Sequence, residues 1–128
     1  MTLQYEGIFL DDIILIGFSP RNEIRWKVVM LFVSYWELNE NFNPRDVAKL
    51  AAELLEKGLY PIKGVKQLGW YITSSVPYWG ITIEEADNAE TVFKGITIWT
   101  NAKPGIFKVA KIAPALTAED AIRVVMEM

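Results

Sequence analysis

Neither cysteine nor histidine occurs anywhere in this chain. Their absence excludes disulfides, thiol nucleophiles, zinc fingers, Cys-His and Ser-His nucleophilic pairs, histidine-ligated haem and the two-histidine metal triads together. No Ser-x-x-Lys arrangement replaces them, so nucleophilic catalysis has no support. No excess of positive charge is present either: thirteen Lys and Arg stand against sixteen Asp and Glu, for a net charge of -3. No window holds the basic cluster that tracks phosphates, so nucleic acid is not an expected partner. Glycine-rich phosphate loops are missing too, because Gly64, Gly69 and Gly80 are isolated and no helix start follows them. No apolar run approaches the roughly 20 residues needed to cross a bilayer. The run from Ile13 to Ile16 is flanked by Glu6, Asp11 and Asp12 where a signal peptide would carry basic residues. These absences predict a cytoplasmic protein without a membrane partner, and no cofactor is expected. What remains for chemistry is carboxylate, Lys, Arg, Tyr, Ser and Thr.

What is present is apolar. Of 128 residues, 52% are hydrophobic and 23% charged, which separates the chain from the disordered class and suits one domain burying roughly two-thirds of its unfolded surface. The lack of cysteine, with frequent Ile and abundant Glu and Lys, is a composition that also suits a thermophile.

The clearest periodicity runs from Pro44 to Lys57, where Val47, Leu50, Ala51, Leu54 and Leu55 form one apolar stripe at helical spacing. Asn43 is placed to cap this helix, Pro44 occupies its first turn, Asp46 complements its dipole and Gly58 stands where a left-handed C-terminal residue belongs. Before it, Trp26 to Leu38 reads as a strand with both alternating sets apolar: Trp26, Val28, Met30, Phe32 and Trp36 against Val29, Leu31, Val33 and Tyr35. One layer of helices covers only one face of a sheet, so the second face calls for another cover, most economically a second copy of the sheet.

After the helix, Val65 to Thr73 and Tyr78 to Glu85 read as strands joined across Ser74, Ser75, Val76 and Pro77. Alternation divides them into an apolar set, Lys66, Leu68, Trp70 and Ile72 with Trp79, Ile81 and Ile83, and a mixed set, Gln67, Gly69 and Tyr71 with Tyr78, Gly80, Thr82 and Glu84. The apolar set is assigned to the helices and the mixed set to the open face of the sheet.

Asp87 to Glu90 has capping-box spacing, and Ala89, Val92, Phe93, Ile96 and Trp99 continue at helical intervals to Asn101. Gly95 to Trp99 instead alternates like a strand and repeats the Gly-Ile-Thr-Ile of residues 80 to 83. The segment 92 to 100 therefore has two readings, of which the helix is preferred. Ile106 to Ala113 is the last strand before Pro114, and Thr117 opens a C-terminal helix with Ala121, Ile122 and Val125 on one side. At the other end, Ile13 to Phe18 pairs with the strand beginning near Ile24 across a type I turn at Ser19-Pro20-Arg21-Asn22. Residues 1 to 25 are thus an N-terminal extension, an added edge strand, on a domain of residues 26 to 128.

From Trp26 the order is β-α-β-β-α-β, the split βαβ arrangement of ferredoxin-like folds, within an α+β class with an antiparallel sheet. Gly64-Val65-Lys66-Gln67-Leu68-Gly69-Trp70-Tyr71, then Trp79-Gly80-Ile81-Thr82-Ile83-Glu84-Glu85-Ala86-Asp87-Asn88-Ala89-Glu90, then Trp99 and a strand ending in Pro114, carry a resemblance. They resemble the small dimeric α/β-barrel proteins, particularly uncharacterised families in which a Gly-Trp strand precedes a glycine-containing strand, a Glu and an Asp-capped helix. The resemblance spans residues 26 to 121. It implies a homodimer in which two sheets close a barrel. The wider superfamily includes cofactor-independent monooxygenases, haem-degrading enzymes, muconolactone-type isomerases and ligand-sensing domains, so the fold does not select an activity.

A cavity on the open face, closed by the second helix, would be lined by Trp36, Gln67, Tyr71, Tyr78, Thr82, Glu84 and Trp99, and would suit a small apolar or aromatic ligand. The same aromatics equally suit a dimer interface. Glu84 is the candidate for acid-base work, because desolvation beside aromatic walls raises a carboxyl pKa. A Glu at a strand end also serves simply to bond local backbone or a Lys. Glu84, Glu85 and Asp87 point in different directions from a strand end and make a solvated surface rather than a cation site, and no metal is expected. Tyr35 and Tyr71 are phenolic donors in principle, and Ser34 a hydroxyl. The expected role is a homodimeric binding or structural module. The rival is a cofactor-independent monooxygenase-like or isomerase-like enzyme in which Glu84 or a tyrosine moves a proton.

Overall fold

A computed structural model describes the backbone of residues 9–10, 13–18 and 24–128, and the side chains of residues 29–128. The turn at Ser19 to Asn22 and the acids Glu6, Asp11 and Asp12 lie outside the described residues.

Two sheets are formed. Strands β1 (Phe9–Leu10), β2 (Ile13–Phe18) and β3 (Ile24–Val28) make a three-stranded antiparallel sheet in that order. The pairing of Ile13–Phe18 with a strand from Ile24 is as the sequence suggests, with a register shift between Leu15 and Gly17. The remaining chain runs β4 (Met30–Leu38), α1 (Pro44–Glu56), β5 (Lys66–Ile72), β6 (Trp79–Ala86), α2 (Ala89–Ala102), β7 (Phe107–Ala115) and α3 (Ala118–Met126). Its sheet has the order β5-β6-β4-β7 and is antiparallel throughout, which is α+β and fits a ferredoxin-like arrangement.

The N-terminal segment corrects one expectation. It is not an added edge strand, and the single strand expected from Trp26 to Leu38 is divided at Val29 between the two sheets. The reason lies in β4, whose two sides are already occupied by β6 and β7. A hairpin partner of the preceding residues therefore has no free side of β4 to continue along.

Local chemistry accounts for the helices. The Asn43 side chain accepts from the Arg45 amide at 2.8 Å at the start of α1, and Gly58 takes φ +68 just beyond its end. Segment 92 to 100 is helical, as preferred. Asn88, rather than Asp87, is the cap of α2: its Oδ1 accepts from both the amide and the hydroxyl of Thr91 at 2.8 Å. Asn-based capping and the apolar stripe thus outweigh the strand propensity of Gly95 to Trp99. Thr117 caps α3, where the Arg123 guanidinium meets Asp120 at 3.1 Å.

The core lies between the sheet and the helices in two clusters. Leu38, Leu54, Tyr60, Trp99 and Ile106 form one, and Phe32, Ala86 and Val92 the other. Phe32 and Ile106 are fully buried. The opposite face of the sheet is only half-buried at Leu31, Val33, Tyr35, Trp79, Ile81 and Ile83.

Candidate functional site

Strand β6 decides the site. Its burial alternates strictly, with Gly80, Thr82, Glu84 and Ala86 inward against the helices and Trp79, Ile81 and Ile83 on the other face. For β6 this reverses the expected assignment, which gave the apolar set to the helices; in β5 the Trp70 and Ile72 of that set do face them. At Gly80 the inward position is small because a larger neighbour fills the volume above it. Gly80 pairs with Trp36 across β4–β6, and the Trp36 indole lies where a Gly80 β-carbon would stand.

Strand β5 departs from strict alternation as well. Gln67 pairs with Glu84 and Gly69 with Ile83, so Leu68 is an extra residue in a bulge. The bulge brings Gln67 onto the same face as Trp70 and Ile72, and leaves Gly69 and Tyr71 on the other. A lone glycine inside a strand is the signal for such a bulge, and Gly69 supplies it.

Between the sheet and helices α1 and α2 these residues enclose a cavity of about 410 Å³, a volume typical of small-molecule sites. The cavity therefore lies on the helix side and not on the open face. Trp36, Tyr78, Thr82, Glu84 and Trp99 line it as named from the sequence. Gln67 reaches it through Tyr60, whose phenolic oxygen accepts from Gln67 Nε2 at 3.0 Å. Tyr71 does not belong to it, being 60% exposed on the far face. Tyr35 is also on the far face, where its hydroxyl donates to Glu37 Oε1 at 2.6 Å, and that bond raises its pKa.

Sequence reasoning missed Tyr60, which sits in the loop between α1 and β5 and carries no periodic signal. Its ring meets Trp70 at 5.2 Å and Trp99 at 5.4 Å between centroids, and Trp70 and Trp99 stand 6.0 Å apart, all edge to face. Helix α1 contributes Val47, Ala48 and Ala51, and α2 contributes Val92, Gly95 and Ile96. Among the lining residues Pro44, Ala48 and Ile72 are exposed, which puts the mouth of the cavity between α1 and the end of β5.

The polar groups of the wall are few. Trp36 Nε1 donates to Thr82 Oγ1 at 3.2 Å, and Ser34 is buried nearby on β4. Glu84 is 6% exposed, and burial holds its carboxyl above the usual range. Burial also pushes the Tyr60 phenol up to about 12. The Glu84 charge adds to that shift, and hydrogen bonds with Gln67 and Thr82 offset part of it. Chemically, the wall offers apolar surface and ring-sized space beside one carboxyl that can give, take or pair with a charge.

Glu84, Glu85 and Asp87 do not converge: Glu84 points inward and Glu85 lies on the opposite face. Among the described residues no group of three or more acids is placed to hold a metal ion. No helix among them is long and apolar enough to cross a membrane. Comparison with protein-family models, with curated proteins and with solved structures finds no match to this chain.

Proposed function

We propose that this chain is a small-molecule-binding module whose site is the chamber between the sheet and helices α1 and α2. The observation that carries this reading is a cavity of about 410 Å³ with aromatic and aliphatic walls and a buried Glu84 within it. A filled structural core would leave no such volume. The test is a thermal-shift and tryptophan-fluorescence survey with small aromatic compounds, set against the cavity-filling variant Ala51→Phe. Compounds that stabilise the native chain and lose their effect in the variant support the reading. A survey in which none binds would refute it.

The assembly we propose is a homodimer of the dimeric α/β-barrel type, with the far faces of two sheets packed together. That face combines Val33, Trp79, Ile81 and Ile83, all half-buried, with exposed Tyr71. Glu37, Glu85, Lys66 and Lys111 add charges of both signs to the same face, a mixture that a two-fold axis can match to itself. A monomer by sedimentation equilibrium at micromolar concentration would refute the dimer and leave the cavity reading intact.

The raised carboxyl of Glu84 favours a second reading, a cofactor-independent isomerase-like or monooxygenase-like enzyme on a small aromatic or apolar substrate. In it Glu84 exchanges a proton with a bound carbon acid. Proton NMR of a bound ligand in heavy water checks this: Glu84-dependent loss of a C–H signal supports the enzyme, and binding without exchange supports the module.

A further inference from the structure

The chamber is asymmetric in charge. Among the described residues that line it, Glu84 is the one acid, and no Lys or Arg is present. Its other polar groups are uncharged, and two donors at its wall are already engaged. The indole N–H of Trp36 is spent on Thr82, and the Gln67 amide is spent on the Tyr60 oxygen. The same cavity is lined by the rings of Tyr60, Trp70 and Trp99, and aromatic faces carry negative electrostatic potential. An anion entering this chamber would meet the carboxylate with no cation to offset it. A neutral hydrocarbon would fill the volume but leave the carboxyl desolvated and unpaired.

We infer that the cavity takes a lipophilic organic cation, an aryl-bearing amine or quaternary ammonium ion, with its positive centre at Glu84 and its apolar body against the Trp70–Trp99 wall and Ala51 of α1. This rests on the small-molecule reading above and specifies the ligand class. The mouth between α1 and the end of β5 admits the apolar end, and the buried carboxylate draws the charged end inward.

Proton linkage gives the inference a sign. The titratable groups on the wall are Glu84 of β6, Tyr60 of the α1–β5 loop and Tyr78 ahead of β6, while α1, α2, β4, β5 and β7 contribute uncharged residues. A cation competes with the proton on Glu84, so its affinity rises with pH through the Glu84 titration. A neutral ligand that accepts a hydrogen bond from the protonated carboxyl shows the opposite slope.

The experiment is a tryptophan-fluorescence titration of the full chain with benzyltrimethylammonium and with neopentylbenzene, its neutral isostere in which carbon replaces nitrogen. It is run as a pH series from about pH 4, near the ordinary carboxyl value, upward to about pH 8. The expected result is that the cation binds roughly tenfold or more tightly than the isostere, the scale of a charge-assisted contact. That preference grows with pH and disappears in Glu84→Gln, which still binds the isostere. Equal affinity for the two probes, or a preference unchanged in Glu84→Gln, overturns the cation while leaving the small-molecule site standing. Binding of neither probe, with Ala51→Phe indistinguishable from the native chain, overturns both readings.

Discussion

Gly80 and Trp36 face each other across the β4–β6 pair, and the indole of Trp36 occupies the space that any β-carbon on residue 80 would need. The glycine thereby lets the indole lie flat along the sheet, where Nε1 reaches Thr82 and the ring walls one side of the cavity. The backbone carbonyl of Tyr71 closes on the same spot, so neither side can yield easily.

Replacing Gly80 by Ala sets a β-carbon against both the Trp36 ring and the Tyr71 carbonyl, so the ring and the β5–β6 backbone must both shift. Overpacking of this kind costs about 1–3 kcal/mol, and urea unfolding should report a loss in that range together with a changed Trp36 environment in fluorescence. Stability equal to the native chain would show that the ring has another place to go.

Glu84 should make stability depend on pH with a definite sign. Burial raises its folded pKa above the unfolded value, so the native state holds this proton more tightly than the unfolded chain does. Below the unfolded pKa both states are protonated and no penalty exists. Stability then falls as pH rises through the window between the unfolded and folded values, and stays lowered above it. Glu84→Gln removes this slope. Thermal melting from about pH 4 to about pH 8 should therefore show the variant gaining on the native chain as the pH rises.

Tyr60 joins the aromatic cluster to the polar end of the cavity, and its two functions separate by substitution. Tyr60→Phe keeps the ring contacts with Trp70 and Trp99 and leaves Gln67 Nε2 without its acceptor, at a cost of about 1 kcal/mol. Tyr60→Ala also removes the ring and should cost about 3–5 kcal/mol. A double-mutant cycle between Tyr60 and Trp99 should return a coupling of about 0.5–1.5 kcal/mol, the range for edge-to-face pairs. Coupling near zero would mean that the two rings pack independently.

The proposed dimer gives a fourth test on the far face. Ile81 pairs with Tyr35 on β4 and Tyr71 on β5 at the centre of that face, and its side chain points away from the cavity. Ile81→Glu should yield a monomer by sedimentation while far-UV circular dichroism stays unchanged, because two carboxylates would be desolvated at the two-fold axis. A variant that still dimerises places the interface elsewhere.

Much of the architecture was legible in the residues. The stripe of Val47, Leu50, Ala51 and Leu54, the caps Asn43 and Thr117, and the hairpin strand Ile13–Phe18 are local features whose energetics involve neighbours in the chain, and they appear where expected, while Leu55 of the same stripe is exposed. The strand order that makes the four-stranded sheet followed from the element order. Of the candidate site residues, Trp36, Tyr78, Thr82, Glu84 and Trp99 share one cavity: Trp36, Thr82 and Glu84 by alternation on paired strands, and Trp99 by the inward stripe of α2.

What only the tertiary structure decided is which side of β6 meets the helices. Alternation in β6 separates Trp79, Ile81 and Ile83 from Gly80, Thr82 and Glu84, but it carries no sign that says which set meets the helices. That choice depends on volumes contributed from elsewhere, chiefly the Trp36 indole over Gly80 and the Tyr60 ring arriving from a loop. The bulge at Leu68 then recruits Gln67 and releases Tyr71. The sequence by itself determined most of the elements and their order, because those are set by short-range hydrogen bonds and periodic burial; the break at Val29 and the cap at Asn88 emerged only in the fold. The position of the cavity and the membership of its wall were set by packing among residues distant in the chain, where space-filling and not polarity selects the face.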